Sequence, residues 1–112
     1  MIRFSAAAFV ELGVAVALIA LPSAAGAQSP AEQRGMTFVR ANCANCHSIG
    51  KIGPSPLQAA PLFRDLHLRY PVESLAEAFA EGIRTGHPSM PEFRLDPGQI
   101  RDVMAHLKSL ER

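Results

Sequence analysis

The 112-residue chain has two cysteines, Cys43 and Cys46, in the stretch Asn42-Cys43-Ala44-Asn45-Cys46-His47. A disulfide between residues so close in sequence closes a very small loop and removes little chain entropy. Yet a domain of this size buries only about 60–65% of its unfolded surface. Small domains usually need disulfides, a metal or a comparable staple. The two cysteines cannot brace distant parts of the chain, so a different staple is required.

The N-terminal part reads as a removable segment. Arg3 gives a positive start, Leu12 to Leu21 is a short apolar run, Pro22 and Ser23 break it, and Ala25-Gly26-Ala27 fits a small-residue cleavage pattern. The expectation is a cleaved signal peptide over 1–27 and one mature domain over 28–112, exported to a bacterial periplasm. The alternative is a retained anchor. A spanning helix takes about 20 apolar residues, and this run is shorter unless it extends back past Glu11. A formal net charge of +1 and the lack of a basic block give no sign of a nucleic-acid partner.

Helical periodicity dominates the rest. The first helix is expected from Pro30 to Asn42, with Ser29 as N-cap, Pro30 at the first position and Glu32 closing a capping box. Gly35 costs about 1 kcal/mol against Ala inside a helix, which suggests that another element packs against its backbone. A middle helix is expected over Pro71 to Glu81, stopped by Gly82. The last is capped by Asp96, begins at Pro97 and carries Ile100, Val103, Met104, Leu107 and Leu110 on one stripe. A shorter helix is placed over Pro61 to His67. With no strand pattern, the fold class is all-α, three to four helices with long Pro- and Gly-rich connections.

Cys43, Cys46 and His47 allow three chemistries. Tetrahedral zinc needs a second ligand pair, and His67, His87 and His106 do not form one. A thioredoxin-like dithiol sits at a helix start within a βαβ unit, whereas this pair follows a helix. The third is covalent haem c, for which Cys-x-x-Cys-His is the attachment signal. Thiols one turn apart can add to two vinyl groups on one porphyrin edge, and the adjacent histidine can bind iron. The macrocycle also supplies the missing core.

With these residues in view, the chain resembles the class I c-type cytochromes. The resemblance rests on Gly35-x-x-Phe38 before Cys43-Ala44-Asn45-Cys46-His47, the Gly53-Pro54 pair, Met90-Pro91 in a late loop and the terminal amphipathic helix. It implies the cytochrome c fold, with helices and loops wrapped around one haem. It also implies that the second ring N–H of His47 donates to the carbonyl of Pro54, which would fix the ring and raise its basicity. Relatives place an aromatic on the last helix where this chain has His106, at the crossing with Gly35 and Phe38.

Iron has a second axial position. Met90 lies between Pro88 and Pro91, which resist helix formation, and its loop is close to the family's methionine loop. His87 is the rival ligand. Met36 and Met104 read as packing residues, and His67 and His106 as surface or helix-packing ones. Leu57, Phe63, Leu66, Phe79 and Phe93 are expected around the macrocycle. Arg64, Arg69 and Tyr70 either meet the haem propionates or face solvent. His/Met ligation fills both axial positions, so the expected function is a one-electron carrier rather than an enzyme. Its partners are redox proteins, a donor and an acceptor. The alternative is the small haem subunit of a larger oxidoreductase complex that oxidises a sulfur compound or alcohol.

Overall fold

The structure, a computed structural model, describes residues 2, 7–8, 10–21, 27–84 and 89–112. The cleavage pattern at Ala25-Gly26 and the candidate ligand His87 lie outside them. Among the described residues there are three α-helices, α1 (Pro30–Asn42), α2 (Ser74–Glu81) and α3 (Pro97–Ser109), and a 3-10 helix at Phe63–Leu68. Ile83 and Phe93 form an isolated antiparallel bridge. No described helix is long and apolar enough to cross a membrane.

The two terminal helices keep the bounds expected from their caps. Asp96 and Gln99 form a full capping box: Oδ1 of Asp96 accepts from the Gln99 N–H at 2.8 Å, and Oε1 of Gln99 accepts from the Asp96 N–H at 3.1 Å. At α1 only half of the expected box forms. Ser29 Oγ accepts from Glu32 N–H at 3.2 Å, but the Glu32 carboxylate turns instead to Arg112 Nη2 at 2.8 Å. An ion pair that ties α1 to the chain's last residue has taken the group that would have closed the box.

The middle elements are tighter than their apolar spacing suggests. Pro71 to Glu73 are bound by i to i+3 contacts (Ser74 N to Pro71 O, Leu75 N to Val72 O, Ala76 N to Glu73 O). The α-helix therefore begins at Ser74, three residues later than expected. The Pro61–His67 helix is realised as the 3-10 turn that starts at Phe63. Such tight turns suit short connectors.

α1 and α3 cross at very close range. A Cβ placed on Gly35 would lie 2.0 Å from the Asp102 carbonyl oxygen and 2.9 Å from the His106 Cβ. Only glycine permits this approach. Arg34 clamps the same crossing with two parallel hydrogen bonds to Asp102, Nε to Oδ2 at 2.9 Å and Nη2 to Oδ1 at 3.0 Å. These bonds hold the Asp102 carboxyl below its ordinary pKa. Val39, Val103 and Leu107 are fully buried beneath the crossing, joined by Leu66, Val72, Leu95 and Leu110 in one core.

The long loop after α2 is closed at its base. Ile83 N–H donates to Phe93 O at 2.9 Å, Leu95 N–H to Phe79 O at 2.9 Å, and Arg94 Nη2 to the Glu81 carbonyl at 2.8 Å. Gly82 terminates α2 at φ 104°, a left-handed conformation that suits glycine. Lys108 of α3 bonds Glu73 and holds the start of this region against the last helix.

Candidate functional site

The end of α1 leads straight into the cysteine turn. Cys43 N–H and Ala44 N–H both reach back to Val39 O, and Cys46 N–H and His47 N–H both donate to Cys43 O, at 3.2 and 3.0 Å. That single turn carries two free thiols and an imidazole. Burial pushes the Cys43 thiol up to about 11, so it is neutral near pH 7.

His47 Nδ1 lies 2.7 Å from the carbonyl oxygen of Pro61. A carbonyl only accepts, so Nδ1 carries a proton, and in the neutral ring Nε2 keeps its lone pair. The ring also lies against Phe63, with centroids 4.8 Å apart and planes tilted by 40°. A held imidazole with a free Nε2, beside two thiols, is the donor set that haem c requires. Among the described residues, no group of three or more His, Cys, Asp or Glu side chains converges as a metal site.

The acceptor is Pro61 and not Pro54, which corrects the sequence expectation. Pro54 is exposed. The reason lies in the loop before Pro61. Leu57 N–H donates to Cys46 O, and Ser55 Oγ accepts from Ser48 N–H at 3.0 Å. Residues 55–57 thus occupy the backbone groups beside the cysteine turn, and the chain reaches the imidazole only at Pro61. Ala60-Pro61 was visible as a third small-residue–proline pair, after Gly53-Pro54 and Ser55-Pro56 and ahead of the apolar Leu62-Phe63 that anchors it.

The other expected residues divide. Phe63, Phe79 and Phe93 pack partly buried against the core, while Leu66, Val103 and Leu107 lie within it. Leu57 and Tyr70 are about two-fifths exposed, and Arg69 is exposed. Arg64 directs Nη1 to the Ser48 hydroxyl at 3.0 Å. Met90 is half-buried beside Pro91, inside the loop closed by the Ile83–Phe93 bridge. Met36 and Met104 pack against the core as expected, and His67 is exposed.

His106 is fully buried at the helix crossing. Its Nε2–H donates to the Ile49 carbonyl at 2.7 Å, and its Nδ1 is buried without a partner. Burial lowers its pKa. Sequence reasoning placed His106 at the crossing but missed Ile49, which no local pattern signals.

A family model described as cytochrome c oxidase, cbb3-type, subunit III, matches residues 30–107. The chain belongs to this family of c-type cytochromes. The matched span includes the cysteine turn, Met90 and most of α3, and the family implies haem c as the cofactor. The cytochrome is also 32% identical over 80 residues to a cytochrome c-553-like protein of Synechocystis sp., covering 69% of this chain and 67% of the relative. No solved structure matches it. These likenesses and the helical fold make the protein a small haem c electron carrier that works with redox partners.

Proposed function

We propose that this cytochrome is a periplasmic one-electron carrier with one haem, tethered by thioether bonds to Cys43 and Cys46 and ligated by His47 Nε2 and the Met90 sulfur. The observation that carries the reading is the His47 imidazole, fixed by Pro61 with its outer nitrogen free, on the same turn as two unpaired thiols. The bound haem supplies the ferrous–ferric couple. The chain supplies the rest. Pro61 orients His47 and raises its basicity. Phe63, Phe79 and Phe93 keep water from the macrocycle and favour its less charged state. With haem bound, the Met90 sulfur would be the second protein ligand to iron and would leave no site for oxygen or peroxide, so on this reading the protein is a carrier and not an enzyme. Residues 1–27 are the export signal and 28–112 the mature domain.

Mass spectrometry and visible spectra of the exported parent and of Met90→Ala test this. The expected results are a mass increased by one haem and loss of the weak red-edge iron–sulfur band in the variant. An unmodified mass would overturn covalent attachment, and an unchanged spectrum would transfer the second axial position to His87.

A second reading has its own support. The matched family model is described as an oxidase subunit, so the same chemistry could serve a fixed partner in a larger oxidoreductase, whose substrate could be a sulfur compound or alcohol. Size-exclusion of native extract separates the two: a free carrier elutes near its own mass, a subunit with its complex.

A further inference from the structure

Ser48, the residue directly after His47, is buried yet makes four hydrogen bonds. Its N–H donates to Ser55 Oγ at 3.0 Å, and its hydroxyl donates to Ile52 O at 3.3 Å. Its carbonyl accepts from Phe63 N–H at 3.0 Å, and its hydroxyl accepts from Arg64 Nη1 at 3.0 Å. The last two partners are the second and third residues after Pro61. The contact between His47 Nδ1 and Pro61 O is therefore one rung of a short ladder whose neighbouring rungs are Ser48–Phe63 and Ser48–Arg64. Arg64 provides the side-chain rung that holds the 3-10 helix, and with it the Pro61 carbonyl, against the histidine segment.

We propose that Arg64 and Ser48 are positioning residues for the axial histidine: the Arg64–Ser48 bond sets the strength of the hydrogen bond from His47 Nδ1 to Pro61 and thereby the reduction potential. The inference rests on the reading that His47 binds the haem iron. A strong bond from Nδ1 makes the imidazole a better donor to iron, which favours the ferric state. Loosening the bond weakens that donation and raises the potential. The alternative role for Arg64, a cation facing the haem propionates, has the opposite sign. Removing a nearby positive charge stabilises the ferric state and lowers the potential. The sign of the change separates the two roles.

The test uses the haem-bearing protein, with attachment checked first by mass, and compares the parent with Arg64→Met, Arg64→Lys and Ser48→Ala. Expected are higher potentials in Arg64→Met and Ser48→Ala, near-parental behaviour in Arg64→Lys, and about tenfold faster solvent exchange of the His47 Nδ1 proton in the first two, read by proton NMR of the reduced protein. Ser48→Ala leaves every charge in place and covers the case in which Arg64→Met fails to fold. A lower potential in Arg64→Met, or a parental potential and exchange rate in Ser48→Ala, would overturn this role alone. A mass without haem would overturn the proposed function and this role with it.

Discussion

His106 of α3 donates its Nε2–H to the carbonyl of Ile49 at 2.7 Å, two residues beyond the histidine of the cysteine turn. The same side chain begins 2.9 Å from where a Cβ on Gly35 would stand. One residue of the last helix thus contacts the chain on both sides of Cys43, Cys46 and His47. Burial favours its neutral form in the folded state.

Acid should therefore weaken the fold through His106. Burial sets its folded pKa below the ordinary value of 6.5, with Glu32 raising it and Arg40 lowering it from α1. Well above pH 6.5 neither folded nor unfolded imidazole carries a proton, and His106 adds no pH dependence to stability. As pH falls from there through the depressed folded value, the unfolded chain takes up the proton first and stability declines. Glu73 and Asp102, whose pKa values are lowered by Lys108 and Arg34, lose their contributions only at more acidic pH. Urea titrations between pH 7.5 and 5 should show the decline in the parent and a shallower slope in His106→Phe. Equal slopes would exclude His106 as its source. The variant should be less stable at pH 7.5 by about 1–3 kcal/mol, because the Ile49 carbonyl loses its donor.

Gly35→Ala should destabilise despite alanine's better helix propensity. The propensity gain is about 1 kcal/mol, but the new methyl would sit 2.0 Å from backbone oxygen of Asp102. Backbone cannot swing aside as a side chain can, so the helices must separate. A net loss of about 1–3 kcal/mol is expected, measured by thermal or urea unfolding. A gain would mean that the crossing is looser than the structure shows.

The exchange of Pro54 for Pro61 as the imidazole's acceptor gives a direct comparison. Pro54→Ala should leave the His47 Nδ1 proton as protected as in the parent, because residue 54 is exposed and distant in role. Pro61→Gly loosens the backbone that presents the accepting carbonyl, and it should accelerate solvent exchange of that proton. The reverse pattern would restore Pro54.

Truncating the core should cost more than any of these. Leu107 is 2% exposed at the centre of the α3 stripe, so Leu107→Ala should lose about 2–5 kcal/mol. Chemical denaturation of the haem-bearing protein measures it. A loss below about 1 kcal/mol would mean that the site collapses around the smaller side chain.

The terminal helices were the most legible part of the chain because their boundaries are local. Ser29-Pro30 and Asp96-Pro97 announce each start within a few residues, and the apolar stripe of α3 runs without interruption to Leu110. Gly35 was informative because its helix penalty needs a packing reason, and Asp102 supplies it. The middle was harder. Pro71 to Glu73 satisfy helical spacing but close i to i+3 turns, a difference of hydrogen bonding that side-chain pattern does not encode. Leu95 and Ile49 escaped notice as core or anchor residues because each sits singly in a loop. The resemblance pointed to Pro54, but three small-residue–proline pairs follow the cysteine turn, Gly53-Pro54, Ser55-Pro56 and Ala60-Pro61. Only the contacts of Ser55 and Leu57 with residues 46–48 decide which one arrives at the imidazole.

The grip of α3 on both flanks of the cysteine turn bears on when that turn can first take its native form. Asp102 and His106 lie more than fifty residues after the cysteine turn in sequence. A ribosome must therefore add that whole stretch before Gly35 and Ile49 find their counterparts. Until then the thiols belong to an unclasped, accessible strand, a state open to enzymes that modify cysteines before folding closes over them.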